Sequence, residues 1–247
     1  MEVKLEPHER IEDLQCKGLK IIQNKDYYTF TSDAVILANF IKMKKNDVGA
    51  DIGTGCGIIP VLLSAKTDFE KIYAFEIQPP MSRIAEKNVI LNDLKEKIEI
   101  VSDDVRNFKQ HFARESFDVV FSNPPYMKSN VSLNEKQARS IARHDNELPI
   151  DDLCKTAFDM LKFGGKFYVV YTSTRTAELI ATLKKFNLEP KRMFFTENGK
   201  DRVVLVVIEA VKGAKQGVEV LPALQTNDKQ GDYLKILQTR YFGRNNL

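Results

Sequence analysis

Short apolar runs rich in β-branched residues alternate with amphipathic stretches along the middle of the chain. Such runs predict buried strands, whereas apolar positions at helical spacing predict helices. The predicted strands are residues 48–52, 71–75, 98–101, 117–121, 166–171, 190–195 and 202–208. The predicted helices are residues 35–41, 58–63, 81–91, 150–161 and 178–186. This alternation from residue 48 to residue 187 predicts an α/β fold with a parallel, doubly wound sheet.

The two ends of the chain show a different pattern. Residues 19–23 and 27–30 are apolar around a polar turn, which predicts a short hairpin. The last two strands predict a second hairpin around Gly199, which would make the sheet mixed. The aromatic residues of the final segment, between 233 and 242, predict a short helix that packs back on the domain. The expected division is 1–47 for an N-terminal hairpin and helix, 48–210 for the main domain and 211–247 for a C-terminal extension.

Composition narrows the class of protein without defining its function. The chain has 247 residues, of which 43% are hydrophobic and 29% charged, so a globular core is expected. A net charge of +3 permits a nucleic-acid partner but does not argue for one. Three scattered cysteines and three distant histidines predict neither a disulfide framework nor a metal site. We see no signal peptide and no bilayer-spanning run, and we expect a cytoplasmic protein.

A glycine-rich loop follows the first strand of the predicted sheet. Residues 51–57 read Asp-Ile-Gly-Thr-Gly-Cys-Gly and lead directly into a predicted helix. Glycine lets the backbone adopt positive φ and approach a ligand closely, so this arrangement predicts a nucleotide-type cofactor site. The dinucleotide fingerprint G-x-G-x-x-G would need a third glycine at position 58. That position is Ile58, which disfavours a dinucleotide-dependent dehydrogenase.

Acidic residues stand at the ends of the next two strands. Glu76 ends the second strand, 25 positions after Asp51, where a carboxylate can hold both hydroxyls of a ribose. The alternative for Glu76 is an exposed charge at a strand end. Asp103 and Asp104 follow the third strand, and either could accept a hydrogen bond from an adenine amino group. We prefer Asp104, because it directly precedes Val105, an apolar residue that could pack on the ring.

The fourth strand ends in the sequence Asn-Pro-Pro-Tyr at residues 123–126. Two successive prolines make a stiff loop, because proline fixes φ and restrains the residue before it. The Pro124 carbonyl and the Asn123 side chain supply two acceptor oxygens, and Tyr126 supplies an aromatic face. These groups can receive a planar amino group. The alternative is a proline-rich turn in which Asn123 caps its own backbone.

A polar segment of residues 127–149 follows and carries several cations, among them Lys128, Arg139 and Arg143. Cations beside a base-sized pocket would suit phosphate contacts, although a solvated loop remains the alternative. Near the N-terminus, Ser32 and Asp33 precede the first predicted helix. They could cap that helix or contribute to the cofactor site.

These motifs resemble those of the class I S-adenosylmethionine-dependent methyltransferases. The resemblance covers about residues 28 to 210 and is carried by residues 51–57, Glu76, Asp104 and residues 123–126. It implies a Rossmann-like, seven-stranded, mostly parallel sheet with an antiparallel last strand. It also implies that Gly53, Gly55 and Gly57 approach the methionine part of the cofactor, that Glu76 binds the ribose and that Asp104 binds the adenine. Asn123, Pro124, Pro125 and Tyr126 would form the catalytic site for methylating a planar nitrogen.

Within that class the chain is similar to the bacterial tRNA1(Val) adenine-N6 methyltransferases, which modify adenine 37, just 3′ of the anticodon. Residues 30–34 and 231–233 match this group beyond the catalytic core. This resemblance implies a tRNA substrate. Alternatives are methylation of a protein glutamine or an rRNA guanine by an enzyme of the same branch, and a non-catalytic RNA-binding or cofactor-binding module. The sequence does not fix the oligomeric state, for which we expect a monomer.

Overall fold

The computed structural model describes residues 3–27, 29–125, 148–198 and 202–226. Within these residues a mixed sheet carries helices on both faces. Its strands are β3 (Val48–Ile52), β4 (Lys71–Phe75), β5 (Ile98–Val101), β6 (Phe117–Ser122), β7 (Leu161–Thr172), β8 (Leu188–Asn198), β9 (Arg202–Lys212), β10 (Glu219–Val220) and β11 (Leu224–Gln225). The strand order is β10-β8-β9-β7-β6-β3-β4-β5, with β11 beside β8. The helices are α1 (Ser32–Phe40), α2 (Ile58–Lys66), α3 (Pro79–Leu91), α4 (Ile150–Met160) and α5 (Thr176–Lys185).

The four strands from β6 to β5 are parallel to one another, and so are β6 and β7. Strand β9 is antiparallel to both of its neighbours, β7 and β8. The prediction of a mostly parallel sheet with an antiparallel last strand is therefore confirmed. The short strands β10 and β11 extend the edge beyond β8 in parallel orientation and were not predicted.

Alternate residues along the central strands divide the core into two layers, as the pleat of a strand requires. On β7, Tyr168 and Val170 pack with α1, α2 and α3, whereas Phe167 and Val169 pack with α4 and α5. All four of these side chains are buried. A strand buried on both faces shows a continuous apolar run, which explains why the central strands were predictable.

The N-terminal hairpin differs from its prediction. Strand β2 (Lys20–Asn24) pairs with β1 (Glu9–Asp13), which precedes it, and not with residue 27, 29 or 30 of the predicted partner strand. Strand β1 has the sequence Glu-Arg-Ile-Glu-Asp, so its charged composition hid it from a search for apolar runs. Residues 29 and 30 instead lead without regular structure into α1.

Two further boundaries needed correction. Helix α4 ends at Met160, and Gly164 and Gly165 lie inside β7 beside an irregularity in its pairing with β6. The sequence predicts a helix to residue 161 and a strand from residue 166, with these glycines between them. The predicted C-terminal helix and the turn at Gly199 lie outside the described residues.

A buried lysine holds the start of β7 against the end of α4. The Lys212 side chain, 4% exposed, donates hydrogen bonds of 2.8 Å to the backbone oxygens of Phe158 and Leu161 and to the Glu115 carboxylate. All three ammonium hydrogens can therefore be used, which is what burial of a lysine demands.

Among the described helices, none combines the length and the apolar character needed to cross a bilayer.

Candidate active site

Four strands end in one row, and each is followed by a predicted site residue. The register pairs Ile52 with both Phe75 and Ser122, and Phe75 with Val101. The carboxyl ends of β6, β3, β4 and β5 therefore lie side by side along one edge of the sheet. Open α/β sheets bind ligands at this edge. The structure thus brings together the glycine loop, Glu76, the Asp103–Asp104 pair and Asn123, which are up to 72 positions apart in the sequence.

The glycine loop adopts the backbone conformation that its sequence predicted. Gly53, Gly55 and Gly57 all have positive φ, at 73°, 60° and 81°. A β-carbon built on Gly53 would have nothing within 4 Å among the described atoms, and one on Gly55 would meet a single methionine methyl at 3.8 Å. Within the described part of the chain, the backbone of Gly53 and Gly55 therefore faces open space. Gly57 instead packs against Ala85 of α3 at 3.5 Å, so it serves helix packing.

Glu76 fastens the glycine loop to the sheet. Its carboxylate accepts hydrogen bonds from the Gly55 N–H at 2.8 Å and from the Gln78 N–H at 2.9 Å. The residue is 5% exposed, which overturns the alternative of an exposed strand-end charge. Burial raises the pKa of Glu76, and the backbone donors work against that rise. Each carboxylate oxygen has a second lone pair, so Glu76 can still accept from hydroxyl groups of a ligand.

Asp51, the first residue of the 51–57 motif, is fully buried in β3. Neither of its carboxylate oxygens has a hydrogen-bond partner among the described residues, and the same is true of the Thr54 hydroxyl. Burial raises the pKa of Asp51 to about 7. The Thr54 hydroxyl lowers this pKa, whereas the negative charge of Glu76 raises it further. A buried carboxylate without a donor is costly, so this position is suited to a cationic or hydrogen-bonding ligand group.

Asp103 and Asp104 are both held by local partners. Asp104 begins a 3₁₀ helix and accepts from the Arg106 backbone N–H at 2.9 Å and from the Arg106 guanidinium. Asp103 lies 2.7 Å from His111 Nε2 and accepts from the Asn107 amide at 3.1 Å. The hydrogen bond from Arg106 lowers the pKa of Asp104, and the one with His111 lowers the pKa of Asp103. Both are ionised acceptors, so the choice between them stays a prediction.

Val105, which we expected to pack on an adenine ring, is 7% exposed and belongs to the buried core layer that includes α4 and α5. In the described part of the chain, Val105 therefore packs against protein side chains of the core.

Asn123 directly follows β6 and is half-buried, Pro124 is buried and Pro125 is exposed. The end of β6 is fixed to its neighbour, because the buried Ser122 hydroxyl donates to the Ile52 carbonyl at 2.8 Å. Asn123 therefore starts from a rigid point next to the strand that carries the glycine loop. Tyr126, Lys128, Arg139 and Arg143 lie outside the described residues, and their assigned roles stay predictions.

Ser32 and Asp33 form the first turn of α1, with Thr31 as the N-cap residue and no side-chain capping bond from Thr31. The Ser32 hydroxyl donates to the Asp33 carboxylate at 3.1 Å. Neither residue is the N-cap that the sequence suggested, and their part in cofactor binding stays a prediction.

Asn88 on α3 contributes to the site but was not predicted from the sequence. This fully buried side chain contacts both the hairpin and the glycine loop. The signal was a pair of asparagines, Asn88 and Asn92, four positions apart in a helix, where asparagine is a poor helix former. Their partners outside α3 are 32 to 72 residues away, so the pattern alone could not identify them.

No group of three or more potential metal ligands occurs in the part of the chain that the structure describes.

A family model and several known proteins are similar to this chain. Residues 30–189 match the family model of the methyltransferase small domain. A Bacteroides thetaiotaomicron protein named tRNA1(Val) (adenine(37)-N6)-methyltransferase is 30% identical over 74% of this chain and 81% of its own length. A Tolumonas auensis protein of the same name is 26% identical over 92% of this chain and 95% of its own.

Solved structures share the fold at low sequence identity. A protein from Agrobacterium tumefaciens, described as a predicted O-methyltransferase, superposes with a TM-score of 0.65 at 20% identity, covering 81% of this chain and 90% of that one. The Methanocaldococcus jannaschii TYW2 structure, solved in complex with AdoMet, gives 0.58 at 16% identity, covering 84% and 87%.

The sheet, the glycine loop at its edge and the matched family model together define a methyltransferase of Rossmann-like fold. The chain belongs to the methyltransferase small domain family and is an S-adenosylmethionine-dependent methyltransferase.

Proposed function

We propose that this protein transfers a methyl group from S-adenosylmethionine to the N6 amino group of an adenine in tRNA, at position 37 of tRNA1(Val). The names of the curated relatives support the choice of substrate. The observation that carries the proposal is the alignment of Ser122 with Ile52, which starts the Asn123 segment beside the glycine loop.

The described residues fit the proposed cofactor. Its ammonium group is a cation, and Asp51 offers buried carboxylate oxygens without a described partner. Its ribose has two hydroxyls, and Glu76 has free lone pairs at the adjacent strand end. Asp104, or Asp103 beside it, would accept from the adenine amino group. We include Ser32 and Asp33 as further contacts. When bound, the cofactor supplies an electrophilic methyl group.

The role of Asn123 follows from the nature of the substrate nitrogen. The lone pair of an exocyclic amine is delocalised into the ring, so the amine is a poor nucleophile. If the Asn123 side-chain oxygen and the Pro124 carbonyl accept its two hydrogens, the nitrogen becomes more tetrahedral and its lone pair can be directed. The amine becomes acidic as its new bond forms, so no strong base is required beforehand. Alignment of the two reactants supplies much of the acceleration.

The remaining predicted roles complete the proposal. Tyr126 would stack on the base, which must leave its neighbours to reach the pocket. Lys128, Arg139 and Arg143 would contact phosphates. We retain the division into residues 1–47, 48–210 and 211–247 as part of this proposal.

Methyl transfer from isotope-labelled S-adenosylmethionine to unmodified total tRNA tests the proposal. The tRNA is digested to nucleosides and analysed by mass spectrometry, and the labelled tRNA species is identified by hybridisation. We expect label in N6-methyladenosine from tRNA1(Val) alone. Label in a guanosine, or in protein glutamine when a ribosomal fraction is added, would assign the enzyme to another substrate. Cofactor binding without transfer to any of these would indicate a non-catalytic module.

A further inference from the structure

Helix α3 carries two asparagines that form hydrogen bonds with the N-terminal hairpin. Asn88 accepts from the Ile22 N–H at 2.6 Å and donates to the Ile22 carbonyl at 3.0 Å. One turn later, Asn92 accepts from the Lys20 N–H at 2.9 Å and donates to the Lys20 carbonyl at 2.8 Å. Each amide pairs with the edge of β2 that lies opposite β1, in the way that a neighbouring strand would.

The two asparagines differ in their third hydrogen bond. Asn88 donates to the carbonyl of Cys56 at 2.8 Å, whereas Asn92 donates to the carbonyl of Asn88 within its own helix at 2.8 Å. Cys56 lies between Gly55 and Gly57 in the glycine loop. One fully buried amide therefore joins the hairpin to the loop that faces the open space.

The glycine loop is thus held from two sides. Glu76 fixes the Gly55 N–H from the sheet at 2.8 Å, and Asn88 fixes the Cys56 carbonyl from α3. Glycines with positive φ have broad conformational freedom, so a loop built from them needs such restraints to keep one shape. The restraint from Asn88 in turn depends on Ile22, because the same amide group contacts both.

The neighbouring residue of β2 restrains a second segment of the predicted cofactor site. Gln23, 4% exposed, accepts from the Phe30 N–H at 3.0 Å and donates to Glu12 on β1 at 2.7 Å. Phe30 directly precedes Thr31, the N-cap residue of α1, and the first turn of that helix contains Ser32 and Asp33. Adjacent residues of one strand therefore reach both the loop and the start of α1.

We propose that Asn88 is a positioning residue for the cofactor loop and that it makes the N-terminal hairpin a working part of the cofactor site. The inference rests on the proposed function, since it concerns the binding of S-adenosylmethionine. It predicts that the hairpin and the cofactor stabilise each other, because coupling between two sites is reciprocal.

Asn88→Ala and Asn92→Ala form a matched pair for the test. Each removes one accepted and two donated hydrogen bonds, but only the first releases the glycine loop. We expect Asn88→Ala to weaken binding of S-adenosylhomocysteine, measured by calorimetry, by about tenfold, the effect of losing roughly one buried hydrogen bond. In the transfer assay it should raise KM for the cofactor and leave kcat nearly unchanged. Asn92→Ala should leave both close to the wild-type values.

A measurement on the wild-type protein covers the case in which Asn88→Ala fails to fold. Addition of S-adenosylhomocysteine should slow hydrogen exchange in a peptide that contains Ile22, and this protection should persist in Asn92→Ala. Unchanged exchange at Ile22, or equal losses of affinity in the two variants, would overturn the inference. A wild-type protein that binds neither cofactor nor product would instead overturn the proposed function, so the two failures can be told apart.

Discussion

At the residue scale, Asp51 is the most unusual side chain of the candidate site. It is fully buried, and its neighbours on the adjoining elements are acidic or neutral: Glu76 on the β4 side, and Thr54 and Cys56 in the loop. The residues aligned with Asp51 on the two neighbouring strands, Phe121 on β6 and Ala74 on β4, carry no charge. No described cation offsets the Asp51 charge by an ion pair. The protein therefore keeps a group at this position that opposes folding whenever it is ionised.

Asp51→Asn should stabilise the ligand-free protein at high pH. The folded-state pKa of Asp51 is raised from 3.8 to about 7, so between these values the unfolded chain is ionised and the folded protein is not. The wild type therefore loses stability relative to the variant as pH rises, by about 2–3 kcal/mol between pH 5 and pH 8. Urea unfolding at several pH values measures this difference. A difference between the two proteins that does not depend on pH would contradict the assignment.

Asn123→Ala should reduce kcat by about 10²–10³, as for the loss of one preorganised polar partner in a transition state. The reason is that the substrate amine would lose one of its two acceptors. Steady-state methyl transfer at saturating tRNA and cofactor measures the effect, with cofactor affinity by calorimetry as the control for folding. Turnover near that of the wild type would exclude Asn123 from catalysis.

At the scale of elements, the sequence predicted what local patterns determine and missed what depends on distant partners. The bounds of β3, β4 and β5 agree with the predicted ranges, because each is a short apolar run between turn residues. The side-by-side position of the candidate residues was predictable, because open sheets of parallel strands bind ligands at the carboxyl ends of their strands. The predicted partner of β2 was wrong, because the charged sequence of β1 does not have the apolar pattern of a strand. The Asn88 contacts were not predicted either, because they span 66 and 32 residues.

Gly53→Ala should impair cofactor binding more than its effect on stability explains. Gly53 has φ of 73°, and an added β-carbon would point into space that we assign to the cofactor. Gly164→Ala is the matched control, because Gly164 has φ of 76° and equally open surroundings near the start of β7, away from the site. Both should lose about 1–2 kcal/mol of stability from backbone strain. Only Gly53→Ala should lose cofactor affinity by more than about tenfold; equal affinities in calorimetry would contradict this placement.

At the scale of the whole molecule, a net charge of +3 does not indicate which surface binds RNA. The docking region that we propose therefore depends on the positions of individual cations. Three exposed lysines, Lys44, Lys45 and Lys95, lie just before the amino ends of β3 and β5. That edge is opposite the glycine loop and Asn123. It therefore provides a control surface on the same protein.

Replacing Lys128, Arg139 and Arg143 together by alanine should weaken tRNA binding in a salt-dependent manner. The slope of log affinity against log salt concentration should fall by about 0.7–0.9 for each phosphate contact that is lost. The same replacement of Lys44, Lys45 and Lys95 should leave the slope unchanged. Filter binding at several salt concentrations measures both. Identical slopes for the two triple variants would place tRNA elsewhere.

The enclosed ammonium of Lys212 has a chemical consequence. Its three hydrogens are directed at Glu115, Phe158 and Leu161, and water scarcely reaches it. Amine-acylating reagents need an accessible, deprotonated nitrogen, so this lysine should remain unlabelled while surface lysines react. When mass-spectrometric footprinting first detects acylation of Lys212, the junction of α4, β7 and β9 has opened, which makes this nitrogen an internal reporter of unfolding.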